Sequence, residues 1–266
     1  MSASAETAAA DLRPAQHAHS VMHCNLNTVD GARAAAFAMA VFGLDPRMRS
    51  VSTDDDSTSL GLDKSTASVT TFLYDRRGPR AVPAVEFVEW QRPVAQPAEP
   101  GMRPSAFVSL GYRVASLSRL QNRLTTLGHT GEPVAGGLRV RGAIWPGLKV
   151  SDPDGVTIEV VEIPPAETDP AGGLISHERM QCTDLTRSIA WYGSIGWAVR
   201  ARGTDEGTPW ASLRPAGGPD VLAGAGGAGR RRDRIAPAGQ HPRPVPDRAR
   251  GRRRARGAHG TRAGVG

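Results

Sequence analysis

The sequence predicts an α+β fold in which a β-α-β-β-β module is used twice in full and begun a third time. Three observations carry this. Strand-like alternation and helical apolar spacing recur in the same order along the chain. Ala84–Trp90 and Thr157–Ile163 share one pattern, with Glu86 matching Glu159 and Glu89 matching Glu162 at an offset of 73 residues. His23 stands seven residues before Asp30, and His177 stands seven before Asp184.

The first module begins at Val21–Val29, where alternation puts Met22, Cys24 and Leu26 on one face and His23, Asn25 and Asn27 on the other. A strand of that kind either half-faces solvent or lines a pocket. Asp30 stands at a helix N-cap position, and the Ala-rich run behind it ends at Gly43. Thr53–Ser68 is polar and reads as a loop, followed by strands of which Ala84–Trp90 is the clearest.

In the second module, Ala106–Val114 is strand-like. Ser116–Leu127 places Leu117, Leu120, Leu124 and Leu127 at helical spacing, closed by Gly128. Asp152-Pro153-Asp154-Gly155 is a tight turn leading into the Thr157–Ile163 strand. The third module opens at Ile175, carries a helical run after Asp184, and loses its pattern past Leu213.

The bulk numbers bound the function. With 39% hydrophobic residues among 266, the chain can bury a core, but only 5% are aromatic, so Val, Leu, Ala and Ile must fill it. The net charge of +7 divides unevenly: residues 221–266 hold twelve Arg and two Asp, a net of +10, which leaves 1–220 at −3. The basic character therefore belongs to the tail and excludes a nucleic-acid-binding body. Arg-rich disordered segments bind phosphate nonspecifically, but this one lacks aromatic interleaving for base stacking. Its bulk Arg, Ala, Gly and Pro is what GC-rich codons give when read out of frame, and the change of character falls inside a module. We therefore expect residues 220–266 to be a disordered, frameshifted tail and residues 1–16 a disordered leader. The two cysteines show no metal or disulfide spacing, and no stretch suits a membrane span, so a reduced, cytoplasmic protein is expected.

A first strand bearing His, then Asp, a helix with Phe37-x4-Phe42-Gly43-Leu44, an Asp-Pro-Asp-Gly turn and an Ile-Glu-Val strand together resemble the vicinal oxygen chelate family, the glyoxalase, bleomycin-resistance and extradiol-dioxygenase group. The resemblance covers about 19–165 in full and 174–215 in part. It implies two paired modules over 17–165 whose sheets curl into an open half-barrel, with a truncated module at 174–219. Carried over by position, it implies metal ligands at His23, Glu86 and Glu159, with Glu159 also the catalytic carboxylate. Ser109 stands where metal-binding members commonly have His. One imidazole and two carboxylates suit a divalent ion such as Zn, Fe, Mn or Ni. Asn25, Asn27 and Arg113 share the pocket-facing parity and are candidates for binding a substrate carboxylate or carbonyl.

The function so implied is a metal-dependent enzyme acting on a small oxygen-rich molecule, by a glyoxalase-type lyase or isomerase reaction or by ring cleavage with dioxygen. Two alternatives stay open: a metal-free protein that sequesters a small molecule, and an inactive truncated product. With no fourth module to pair with, His177 is expected to be an orphan, and a homodimer sharing modules is a route to covering the third.

Overall fold

The computed structural model describes residues 20–80, 83–97, 106–163 and 172–216, all within one compact unit. The leader 1–16 and the tail 220–266 lie outside the described residues.

The first module runs β1 (His23–Thr28), α1 (Gly31–Phe42), β2 (Asp45–Asp55), β3 (Thr66–Tyr74) and β4 (Ala84–Arg92). Its strands are ordered β1-β4-β3-β2, with β4 parallel to β1 and antiparallel to β3. The second runs β5 (Phe107–Val114), α2 (Leu117–Thr126), β6 (Glu132–Pro133), β7 (Leu138–Val140), β8 (Ala143–Trp145), β9 (Gly147–Ser151) and β10 (Thr157–Glu162). Within its sheet the order β5-β10-β9-β6 repeats that of the first module. The third comprises β11 (Leu174–Met180), α3 (Leu185–Ser194) and the hairpin of β12 (Trp197–Asp205) with β13 (Thr208–Pro215). The α+β class expected from the sequence is what the chain adopts.

The local signals act as their chemistry requires. Asp30, Ser116 and Asp184 are the N-caps of the three helices, each accepting a hydrogen bond from the amide three residues on. Gly43, at φ 69°, closes α1 with an amide that reaches back to Ala38 and Met39. The core joins α1 to both larger sheets: Phe42 stacks on Tyr112 at 4.1 Å between ring centroids, and Cys24, Leu26, Leu110, Leu124 and Val160 are buried around them.

A second helix cap escapes sequence reasoning. Glu89 Oε2 accepts from Gly31 N at 2.9 Å, and its repeat counterpart Glu162 accepts from Leu117 N at 2.7 Å. Each last strand thus carries two carboxylates three residues apart. An odd separation sends them to opposite sheet faces, one away from the helix and one to the first turn of the helix, where backbone donors lack partners and the dipole favours negative charge.

Two expectations change. Thr53–Ser68 is not all loop: β2 extends to Asp55 and β3 starts at Thr66. Strand β2 shows no periodicity because it is an edge strand with almost every residue exposed, held by its ladder to β3. The pairing partner of the second module also differs from the half-barrel frame. The edge of β5 is occupied by β11, so β1 and β10 lie in separate sheets. The first two modules meet elsewhere: Thr28 Oγ1 donates to Asp154 of the Asp-Pro-Asp-Gly turn at 2.5 Å, and Arg33 reaches the same carboxylate at 3.2 Å.

The twin caps give a direct test. Glu89→Gln and Glu162→Gln each weaken a charge-assisted bond to a helix start and should each lower the urea unfolding free energy by about 1 kcal/mol. Additive losses in the double variant are expected, since the two sites share no partner; no loss in either would refute the capping role.

Candidate metal and substrate site

The predicted site residues fall into two groups on two sheets. The first lies on the exposed face of β1 and β4. Register aligns Asn25 with Glu86 and Asn27 with Val88, so His23, Asn25, Asn27 and Glu86 share one face while Cys24 and Leu26 turn into the core. His23 Nδ1 lies 2.5 Å from Glu86 Oε2. That approach lacks hydrogen-bond geometry, and Glu86 Oε2, although buried, receives no hydrogen bond. A buried carboxylate oxygen without a donor is costly. At 2.5 Å the His23 imidazole is its ion-pair partner, and both side chains are of types that also ligate metal ions. The His23 ring stands edge-on to Phe72, with centroids 5.5 Å apart, which fixes its orientation. Asn27 Oδ1 accepts from Trp90 Nε1 at 3.0 Å, and Asn25 is exposed beside Glu86.

The second group lies on β5, β10 and β11. Glu159 and Ser109 are fully buried, as is Arg113, which stands in register with Val161 and Leu174. Glu159 is therefore separated from His23 and Glu86, and Arg113 from Asn25 and Asn27. Instead, Glu159 accepts from Arg179 Nε at 2.9 and 3.0 Å and from Arg179 Nη2 at 2.8 Å, with His177 Nε2 3.3 Å from its second oxygen. Burial pushes the Glu159 carboxyl upward, but hydrogen bonds from His177 and Arg179, with the charge of both, outweigh it and hold its pKa at about 2.

His177 is thus no orphan. It is aligned with Gly111, and a Cβ at position 111 would stand 2.0–2.4 Å from the imidazole ring atoms. Glycine at 111 is what lets the ring lie across β5. Sequence reasoning placed His177 at a ligand-like position but missed Gly111 and Arg179. The signal for both was the β5–β11 pairing, which no local pattern announces.

Behind the first sheet, burial pushes the Cys24 thiol up, helped by the charge of Glu178. Cys24 is a buried apolar filler, inert as a nucleophile.

A divalent ion asks for three or more protein donors or for open positions that other groups fill. Among the described residues, no group of three His, Cys, Asp or Glu side chains is placed to hold one. His23 and Glu86 supply two side chains of suitable chemistry, whereas Glu159 has both oxygens engaged by Arg179. No helix among the described residues is long and apolar enough to cross a membrane.

No protein-family profile matches the chain, and no curated protein does. Solved structures do. Glyoxalase I from Zea mays superposes at a TM-score of 0.53 with 18% identity, covering 73% of this chain and 62% of that one. The V278E mutant of the same enzyme gives 0.52 at 18% identity, covering 73% and 62%. A candidate dioxygenase from Bacillus subtilis gives 0.51 at 15% identity, covering 75% and 62%. The fold is that of these glyoxalase and dioxygenase structures, and the chain spans less than two thirds of their length.

Two outcomes test the second group. Gly111→Ala forces the His177 ring out of its seat and should cost about 1–3 kcal/mol in denaturant unfolding, with much of the loss recovered in Gly111→Ala/His177→Ala. The stability contributed by the depressed carboxyl of Glu159 should be whole above its ordinary pKa of 4.5 and fade as pH falls towards about 2. Acid titration of the unfolding free energy should show that loss in the wild type and a shallower one in Glu159→Gln.

Proposed function

We propose that the β1/β4 face binds a divalent metal through His23 and Glu86 and presents it to a small molecule with neighbouring oxygens, for lyase, isomerase or ring-cleaving chemistry. The observation that carries this reading is the pairing of His23 Nδ1 with the buried Glu86 Oε2 at 2.5 Å, on the face that also carries Asn25. One nitrogen and one hard oxygen suit Zn, Fe, Mn or Ni. When bound, such an ion polarises two adjacent substrate oxygens and stabilises the negative charge that develops on them. The chain's own residues do the rest. Glu86, set in a wall of β-sheet and shielded from water, orients His23 through their contact, and Phe72 holds the ring edge-on. Asn25, exposed beside Glu86, offers an amide to a substrate carbonyl or carboxylate. Glu159, kept ionised by Arg179 and its hydrogen bond with His177, is in this reading the anchor of β11 and not the catalytic base.

Two protein donors leave room for the remaining ligands to come from substrate, water or a second copy of the chain, so a homodimer is part of the reading. The similar solved structures are a glyoxalase I and a candidate dioxygenase, and their likeness supports this class of chemistry by fold alone. A second reading, metal-free sequestration of a small molecule, draws on one observation: Glu159 is taken by Arg179 and Ser109 offers no strong ligand.

Titration calorimetry with Zn, Mn, Ni and Fe(II) separates the two. The metal reading expects binding by the wild type that His23→Ala and Glu86→Gln each weaken by about tenfold or more, roughly 1.4 kcal/mol, while Glu159→Gln leaves it unchanged. Absence of binding, or equal binding by all four proteins, would favour sequestration.

A further inference from the structure

Strand β2 is the outer edge of the first sheet, whose order is β1-β4-β3-β2. Ten of its eleven residues are exposed, which is the exposure of a strand with solvent along its outer side and over both faces. Its inner side is laddered to β3, so the remaining amides and carbonyls point outward. Such an edge is a template for a further strand, and proteins limit it with charges, prolines and bulges. Here Pro46 stands near the start, and register shifts fall between Pro46 and Met48 and between Ser52 and Asp55. Between these breaks, residues 48–52 pair one for one with 72–68.

The charges of β2 are sorted by end. Arg47 and Arg49 lie in its first half, and Asp54 and Asp55 in its second. Asp45, at the first end, is neutralised by Arg47 at 2.5 Å, and Asp54 takes Ser65 Oγ at 2.5 Å with Arg92 3.6 Å away. Among the described residues, Arg49 and Asp55 meet no opposite charge. Single exposed charges are ordinary, but their order along an edge strand selects the strand that can lie beside it. A parallel copy of β2 would set like charges together, whereas an antiparallel copy sets the cationic end of each strand against the anionic end of the other. The regular stretch also carries Met48 and Val51, 50% and 55% exposed. Their odd separation puts them on opposite faces, so each face of the seam has an apolar side chain for cross-strand contact.

We infer that β2 is the seam of a two-fold homodimer, formed by antiparallel pairing with β2 of a second copy about an axis near Val51. Main-chain hydrogen bonds over the regular stretch supply the affinity. The charges fix the direction, with Arg47 and Arg49 of each copy brought beside Asp54 and Asp55 of the other, twice by symmetry. The contact uses the same patch on both copies and closes on itself, and the flanking bulges end the ladder. Because β1 and β2 are opposite edges of the sheet, the seam is remote from His23, and the inference does not depend on metal binding there.

Sedimentation of the full chain over a concentration series, at low and high ionic strength, tests the seam. The wild type should dimerise reversibly, more weakly as salt screens the charges, with amide exchange in residues 48–52 slowing as dimer forms. Arg47→Glu/Arg49→Glu makes the edge acidic throughout, and Asp54→Lys/Asp55→Lys makes it predominantly basic. All four side chains are exposed, so both variants should keep the wild-type unfolding midpoint. Each alone should self-associate at least about tenfold more weakly, because like charges then oppose, while an equimolar mixture of the two should recover the dimer. A wild type that stays monomeric, variants that dimerise as well as the wild type, or a mixture no better than its components would overturn the inference.

Discussion

The arrangement of this molecule depends on the solvation of one carboxylate. Glu159 sits on a central strand with 2% of its surface exposed, where an unpaired charge is not tolerated. Its partners, His177 and Arg179, both come from β11, so satisfying Glu159 means laying β11 along β5. Removing one partner from a buried pair of this kind costs about 3–5 kcal/mol, comparable to a large part of a domain's stability. The rest follows sterically: β5 must carry glycine at 111 to admit the imidazole, and Asp75 at the end of β3 must turn inward to receive the Ile175 amide.

That docking also decides what the first module can do. With the β5 edge taken by β11, the β1/β4 face keeps His23 and Asn25 exposed beside the buried Glu86, and the His23–Glu86 ion pair is the strongest chemical signal on it. The paired glutamates of β4 and β10 show how one strand serves two ends. Glu86 and Glu159 project from the face away from the helices, and Glu89 and Glu162 fasten the helices behind. Site and scaffold are coupled through a three-residue spacing in the same strand.

Much of this was legible in the sequence. The helices α1 and α2 announce themselves through Asp30 and Ser116 caps and Gly43 and Gly128 terminators, and β4 and β10 through alternation, because these signals are local. The pocket-facing parity of His23, Asn25 and Glu86 was legible for the same reason. What was not legible is long-range. Strand β2 is exposed on both faces and leaves no periodic trace. The choice between β1 and β11 as neighbour of β5 rests on Arg179, Gly111 and Asp75, residues distant in sequence whose individual patterns are ordinary. The parity that put Glu159 and Arg113 with His23 held within each sheet but said nothing about which sheet.

The central claim, that the Glu159 ion pairs set the docking of β11, is tested most directly by a double-mutant cycle of Glu159→Gln and Arg179→Met on unfolding free energy in urea at neutral pH. The account predicts a coupling of about 2 kcal/mol or more between the two changes, since the second substitution removes a charge already left unpaired by the first. Losses that simply add would contradict it.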